Sequence, residues 1–172
     1  MIIQSKKGFT LTEALVTTSV LTIIFSAFFI VLLSSSDSWQ TNRVSIELRQ
    51  ELRKSMDSIT RDILQAGVST ITDVSANGSW YTTITFKKPS SISGGSVVWD
   101  ANTTKFLRSS NELQRQIGSA AGETIASNIT TLQFRRQSDT PSVVEVNLQA
   151  QKSTPKGTVI ADALSFKIRL RN

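Results

Sequence analysis

The sequence contains no cysteine and no histidine among its 172 residues. These absences exclude disulfide bonds, cysteine nucleophiles, histidine general bases and metal sites built on either residue. An enzyme would have to rely on Asp, Glu, Ser, Lys or Tyr81, and no phosphate-binding loop, G-x-S-x-G or S-x-x-K motif accompanies them. We therefore predict that the chain is not an enzyme and that it binds no cofactor.

Clustered charge is scarce as well. The C-terminal third has only four acidic residues, which are well separated: Glu123, Asp139, Glu145 and Asp162. A calcium site needs several carboxylates together, so no metal site is predicted. The formal net charge is +6, but no run of lysine or arginine exceeds two residues. Nucleic acid is therefore not expected as a partner.

Residues 14–33 form a run of twenty residues without a single charge. A transmembrane helix needs roughly 20 apolar residues, and the few Thr and Ser hydroxyls here can bond back to the preceding helical turn. Lys6 and Lys7 precede the run, which predicts a cytoplasmic N-terminus and an exported C-terminal part. Glu13 stands directly before the run, where a carboxylate is costly in lipid and requires a partner.

A cleaved secretory signal peptide is one alternative interpretation of this segment. The apolar run exceeds the usual 7–15 residues of such peptides, and residues 34–39 offer no clear small-x-small cleavage site. Glu13 also interrupts the join between the basic and apolar regions. A second alternative is a plain membrane anchor that undergoes no processing.

The residues Gly8-Phe9-Thr10-Leu11-x-Glu13 resemble the processing site of type IV prepilins and type II secretion pseudopilins. The resemblance implies that a prepilin peptidase cuts between Gly8 and Phe9 and then N-methylates Phe9. It also implies that the carboxylate of Glu13 meets the N-terminal amine of a neighbouring subunit during assembly. A buried charge is tolerable only when it is paired, which agrees with that role.

The resemblance further implies a single-pass protein of the bacterial inner membrane, with the N-terminus in the cytoplasm and the C-terminal domain in the periplasm or outside. An inner-membrane assembly platform then moves the subunit from the lipid bilayer into a filament of major and minor subunits. The sequence divides accordingly into a cleaved leader (1–8), a transmembrane and filament-core helix (9–33), an amphipathic second half of the helix (34–67) and a β-rich domain (68–172).

The second half of the helix is predicted from apolar residues spaced three or four apart, which lie on one helical face. We call them the core stripe: Val44, Leu48, Leu52, Met56, Ile59 and Ile63. Gly67 follows and is predicted to stop the helix as a C-terminal cap. The Ser-rich residues 34–42 are the predicted weak point of the helix.

Alternating apolar and polar residues predict strands at 80–86, 97–99, 105–108, 112–116, 129–135, 143–148 and 164–170. Residues 89–95 are predicted to be a loop and residues 100–102 a turn, and the alternation slips at Thr130. The last three strands are expected to be neighbours in a sheet. The predicted fold is α+β and pilin-like: a long N-terminal α-helix packed on an antiparallel β-sheet domain.

The C-terminal half resembles J-type minor pseudopilins and PilW-like minor pilins. The matching pieces are Ile125-Ala126-x-x-Ile129-x-x-Leu132-x-Phe134, then Val143-Val144-x-Val146, then Leu170-Arg171-Asn172. This resemblance implies a minor subunit of a type II secretion pseudopilus or type IV pilus, in a complex at the filament tip that initiates assembly. An adhesive minor pilin, or one that binds DNA or another substrate through Trp80, Tyr81 or Trp99, remains an alternative.

Overall fold

The structure is a computed structural model that describes residues 10–170. The lysines, Gly8 and Phe9 of the predicted processing site lie outside the described residues. The described part contains one long helix, a short 3-10 turn and eight strands: α1 (Leu11–Ile63), the turn Val68–Thr70, β1 (Trp80–Tyr81), β2 (Thr83–Ser93), β3 (Ser96–Ser109), β4 (Glu112–Ile117), β5 (Glu123–Ser127), β6 (Ile129–Arg136), β7 (Val143–Ser153) and β8 (Val159–Arg169).

The chain divides into two units, Met1–Thr41 and Asn42–Asn172. Helix α1 contributes to both, and residues 34–42 are helical throughout, so the predicted weak point does not interrupt it. No proline occurs there to remove a backbone donor, and the Ser38 hydroxyl donates to the Ser34 carbonyl oxygen at 3.1 Å. The Ser-rich composition weakens helix propensity without ending the helix.

Two four-stranded antiparallel sheets form the second unit together with the C-terminal part of α1. Their strand orders are β1-β6-β7-β8 and β2-β3-β4-β5. The expected neighbours β6, β7 and β8 share the first sheet, and the slip at Thr130 is confirmed as a register shift between β6 and β7. The predicted α+β fold, with a long helix packed on antiparallel sheet, is confirmed.

The core stripe of α1 packs in the interior of this second unit. Val44, Leu48, Leu52, Ile59 and Ile63 are all buried. Met56 is only half-buried, and the neighbouring Ser55 is fully buried instead. Ser55 is a small residue whose hydroxyl bonds to the Glu51 carbonyl oxygen at 2.7 Å, so it can enter the interior without leaving an unpaired polar atom.

Charged side chains on α1 reach strands of both sheets. Glu47 accepts a hydrogen bond from Lys152 of β7 at 2.6 Å, and Arg49 donates to Asp162 of β8 at 3.2 Å. Toward the other sheet, Glu51 accepts from the backbone N–H of Ser127 at 2.9 Å. Polar contacts to both sheets therefore flank the buried stripe of the helix, whose apolar side chains form the main contact with the sheets.

The strand predictions differ from the structure in several places, and the predicted strand 80–86 is divided between β1 of one sheet and β2 of the other. Residues 89–95 are not a loop, because β2 continues to Ser93 and only Gly94 and Gly95 form the turn, both with positive φ. Consecutive positive φ angles are what a two-residue hairpin turn demands. The expected turn at 100–102 is a bulge within β3, where Asp100 accepts a hydrogen bond from the Asn102 N–H at 3.0 Å. Strand β5 was not predicted at all.

Gly67 is not the C-terminal cap of the helix. Helix α1 ends at Ile63, and Gly67 has an extended backbone, φ −82° and ψ 146°, that any residue can adopt. A β-carbon at this position would lie 2.6 Å from Cζ2 of Trp99. The indole of Trp99 packs directly on the backbone of Gly67, so any other residue here would displace it.

The core stripe gives a direct test of the fold. Leu52→Asp places an unpaired carboxylate at a buried position, and we expect it to lower the free energy of unfolding by about 3 kcal/mol or more. Ile46→Asp, at a position on the same helix that is 56% exposed, is the matched control and should change it by less than about 0.5 kcal/mol. Thermal unfolding of the full chain in detergent micelles, followed by near-UV circular dichroism, measures both. Equal melting temperatures for the two variants would refute the assigned face.

Candidate functional site

The first turn of α1 is organised around Thr10 and Glu13. The Glu13 Oε2 atom accepts hydrogen bonds from the Thr10 backbone N–H at 3.0 Å and from the Thr10 hydroxyl at 2.9 Å. The Glu13 N–H faces the Thr10 Oγ1 atom at 3.3 Å. This reciprocal arrangement is a capping box, which satisfies backbone donors that a helix N-terminus leaves free. Glu13 therefore has a partner within its own chain.

Only one oxygen of the Glu13 carboxylate takes part in this cap. Within the part of the chain that the structure describes, the Oε1 atom accepts no hydrogen bond. A carboxylate has roughly four lone-pair positions, so Glu13 can hold the helix cap and bind a second cationic donor at once.

Residues 14–33 present large apolar side chains around the helix, and no other residue between 10 and 41 packs over them. Thirteen of these side chains, from Leu15 to Leu33, are 50–69% exposed. The most apolar 18-residue window of α1 has a mean hydropathy of 2.4 and no buried residue. Among the described residues, α1 is the one helix long and apolar enough to span a membrane.

The hydroxyl groups of this segment are all turned back onto the helix. Thr17 donates to the Glu13 carbonyl oxygen at 2.6 Å, Thr22 to that of Thr18 at 2.7 Å, and Ser26 to that of Thr22 at 2.8 Å. Thr18 and Ser19 do the same. The expectation that these hydroxyls are satisfied within the helix is confirmed, so the surface presented by residues 14–33 is effectively apolar.

A row of alternating charges crosses the first sheet in the second unit. Arg135 of β6, Glu145 of β7 and Lys167 of β8 lie directly opposite one another in register. Glu145 is nearly buried and accepts from Arg135 Nε at 2.8 Å and from Lys167 Nζ at 2.8 Å. These hydrogen bonds, that of Lys167 first, hold the pKa of Glu145 below its ordinary value.

Trp80 of β1 extends the same row. It lies opposite Arg135, whose guanidinium carbon is 4.4 Å from the centre of the indole ring, a cation–π contact. Tyr81 is half-buried against the core, and its hydroxyl donates to Asn77. Trp99 is half-buried over Gly67. Each of the three aromatic residues considered as binding groups thus has a packing role.

A second ionic cluster joins α1 to the other sheet. Asp62, 4% exposed, accepts from Lys88 of β2 at 2.7 Å and lies 3.4 Å from Arg115 of β4. Arg115 in turn donates to Glu123 of β5 at 2.6 Å, and this contact is the main reason why the pKa of Arg115 is raised. A buried carboxylate between two cations is a structural tie and has no accessible face for a substrate.

This arrangement is interpreted from its geometry and chemistry alone. No protein-family model matches the chain, and no curated protein is significantly similar to it. Across residues 10–170, no group of three or more potential metal-binding side chains comes together. The described candidate site is therefore the apolar surface of α1 with Glu13 at its start.

Two features of these sites were missed at the sequence level. The capping box has a local signal, because Thr10 and Glu13 have the Thr-x-x-Glu spacing of that motif. The row formed by Arg135, Glu145 and Lys167 has no such signal, since its members are brought together only by strand register.

The depressed pKa of Glu145 predicts a pH dependence. Its stabilising contribution is present above its ordinary pKa of 4.5 and is lost as the pH falls through the lower pKa of the folded state. Glu145→Gln should lower the free energy of unfolding by about 1–2 kcal/mol at pH 7 and make stability fall less steeply below pH 4.5. Denaturant unfolding at several pH values measures this. Parallel pH profiles for both proteins would contradict it.

Proposed function

We propose that the chain is a minor pilin or pseudopilin, a structural subunit that is processed at Gly8 and Phe9 and assembled through its N-terminal helix into a filament. The observation that carries the proposal is the pairing of an uncovered apolar helix surface, residues 14–33, with a carboxylate at its first turn. The prepilin-like residues that precede this turn supply the processing step.

The apolar surface supports a role that alternates between lipid and protein surroundings. Burial of one large apolar side chain is worth about 1.5–3 kcal/mol, and thirteen such side chains are uncovered here. Both a bilayer and a bundle of like helices can cover them. The small Ser, Thr and Ala residues of the segment, with their hydroxyls turned inward, allow neighbouring helices to approach closely.

The carboxylate of Glu13 supports the assembly step. Its Oε2 atom belongs to the helix cap, and its Oε1 atom accepts no hydrogen bond from residues 10–170, so it can accept one from a second donor. A methylated N-terminal amine of an adjacent subunit is a cation of the required kind. Pairing the two charges in a water-poor helix bundle would fix the register of one subunit against the next.

The second unit supports a structural rather than a catalytic role. Its polar clusters, around Asp62 and Glu145, are ion pairs that join elements of the fold. The position of the subunit at a filament tip, and the assignment to a secretion pseudopilus or a pilus, follow from the resemblance to J-type and PilW-like subunits and belong to the same proposal.

Processing is tested at Gly8. We expect Gly8→Asp to leave the leader attached, because a charged, branched side chain obstructs the extended backbone that a protease needs at the scissile bond. Gly8→Ala is the matched control and should be processed to a much greater extent. Gel mobility and intact mass of the membrane-bound chain distinguish the two forms. Complete processing of Gly8→Asp would contradict cleavage at this site.

The role of Glu13 is tested by separating its charge from its cap. Glu13→Gln keeps an oxygen for the Thr10 donors but removes the charge, whereas Thr10→Ala removes the hydroxyl and keeps the charge. We expect Glu13→Gln to insert into the membrane and be processed, yet to be recovered in sheared filaments at least tenfold less than the wild type. Thr10→Ala should be recovered nearly normally. The reverse order would mean that the carboxylate acts only as a helix cap.

A further inference from the structure

The two sheets have four edges, and one of them differs from the rest. Strand β1 is two residues long and β5 five, while β2 is interrupted by register shifts on either side of Pro89. Strand β8 runs for eleven residues, contains no proline and pairs with β7 without a single shift. Among the described residues it is therefore the long, regular edge, the form that accepts a further strand most readily.

The outward-facing backbone groups of β8 follow from its alternation. Leu170 N–H donates to Ser142 on the β7 side at 2.7 Å, so even-numbered residues face β7. Odd-numbered residues then direct their N–H and C=O groups away from the sheet. Ala163 agrees, because its N–H is bonded to the side chain of Asp162 at 2.9 Å and not to β7.

Asp162 closes part of this edge. Its Oδ1 atom accepts a hydrogen bond from the Ala163 N–H at 2.9 Å, and its Oδ2 atom accepts one from Arg49 of α1 at 3.2 Å. An inward-facing charge of this kind is a usual device against unwanted strand pairing. Beyond Asp162, the outward groups of Ser165, Lys167 and Arg169 have no hydrogen-bond partner within residues 10–170.

The inner face of the open part is incompletely covered. Leu164 and Phe166 point toward the core but are only half-buried, whereas Ile168 of the same face is 3% exposed. An added strand with apolar residues at alternate positions would cover the two half-buried side chains and continue the core by one strand.

The charge row on the outer face of the sheet indicates which side chains the added strand would carry on that face. Across the sheet it runs Arg135, Glu145, Lys167, that is, positive, negative, positive, and it ends at the β8 edge with Lys167 71% exposed. Arg169 is exposed on the same face. The next position in the row is therefore suited to an acidic side chain.

We propose that residues 164–169 of β8 bind an extended strand from a different protein chain, with apolar residues at alternate positions and acidic residues between them. A second copy of this chain is a poor match, because self-pairing would bring together two edges whose exposed charges, Lys167 and Arg169, are both positive. The inference goes beyond the proposed function and depends neither on leader processing nor on Glu13.

The test uses the full chain in zwitterionic detergent micelles and a fluorescent octapeptide that alternates valine with glutamate. A peptide with lysine in place of glutamate is the reference probe. We expect the acidic peptide to bind at least tenfold more tightly than the basic one, as measured by fluorescence anisotropy. Equal binding of the two peptides, or no binding of either, would overturn the proposal.

Variants locate the site. Ser165→Pro removes an outward N–H without removing a bond to β7, and we expect at least a tenfold loss of binding. Ala161→Pro makes the same change on the other side of Asp162 and should leave binding unaltered. Lys167→Gln removes the charge but keeps a hydrogen-bond donor for Glu145, and it should weaken binding of the acidic peptide about three- to fivefold. Lys54→Gln, on the exposed face of α1, is its control. Equal effects of Ser165→Pro and Ala161→Pro, or of Lys167→Gln and Lys54→Gln, would overturn the assignment.

A final variant separates this partner from a second copy. The chain has no cysteine, so Ser165→Cys introduces a single thiol at the proposed edge. We expect this variant to remain monomeric in micelles under mild oxidation. Efficient disulfide-linked dimers would identify a second copy as the occupant and overturn the proposal of a different chain. A correctly processed subunit that fails these tests would disprove the β8 inference alone.

Discussion

The uncovered apolar surface of residues 14–33 is the constraint on which the account depends. Thirteen apolar side chains are each at least half exposed here, and burying them would contribute a free energy on the order of 10–20 kcal/mol. That amount is comparable with the whole stability of a domain, and the segment is long and apolar enough for lipid or other helices to supply it. The back-bonded hydroxyls make it compatible with both surroundings, and Glu13 is the single charge at its start.

In the second unit, the buried apolar residues of the same helix are confined to one face. There only one stripe is apolar, and it is buried, while Glu47, Arg49 and Glu51 on its flanks bind strands of both sheets. One continuous helix thus provides an apolar surface for an external environment and a scaffold for a folded β domain. The charge row ends at the exposed Lys167, so the β8 edge of that domain carries a positive charge.

The predictions from sequence succeeded where the physics is local or periodic. The buried positions Leu48 and Leu52 follow from 3.6-residue periodicity, and the inward-turned hydroxyls follow from residue type. They failed where a local signal had a non-local use. Gly67 has the sequence signal of a helix cap, yet its backbone packs against Trp99, and residues 100–102 have the composition of a turn, yet they form a bulge within β3. The partners of Glu145 are set by strand register, which no local pattern encodes.

The most direct measurement is the intact mass and N-terminal residue of the wild-type chain recovered from the membrane of its native cell. The account predicts a chain that lacks its first eight residues and begins at N-methylated Phe9, in membranes and in filaments alike. A chain that still begins at Met1 would be an unprocessed membrane-anchored protein, and one that begins after Leu33 would be secreted. Either result would contradict assembly through the N-terminal helix.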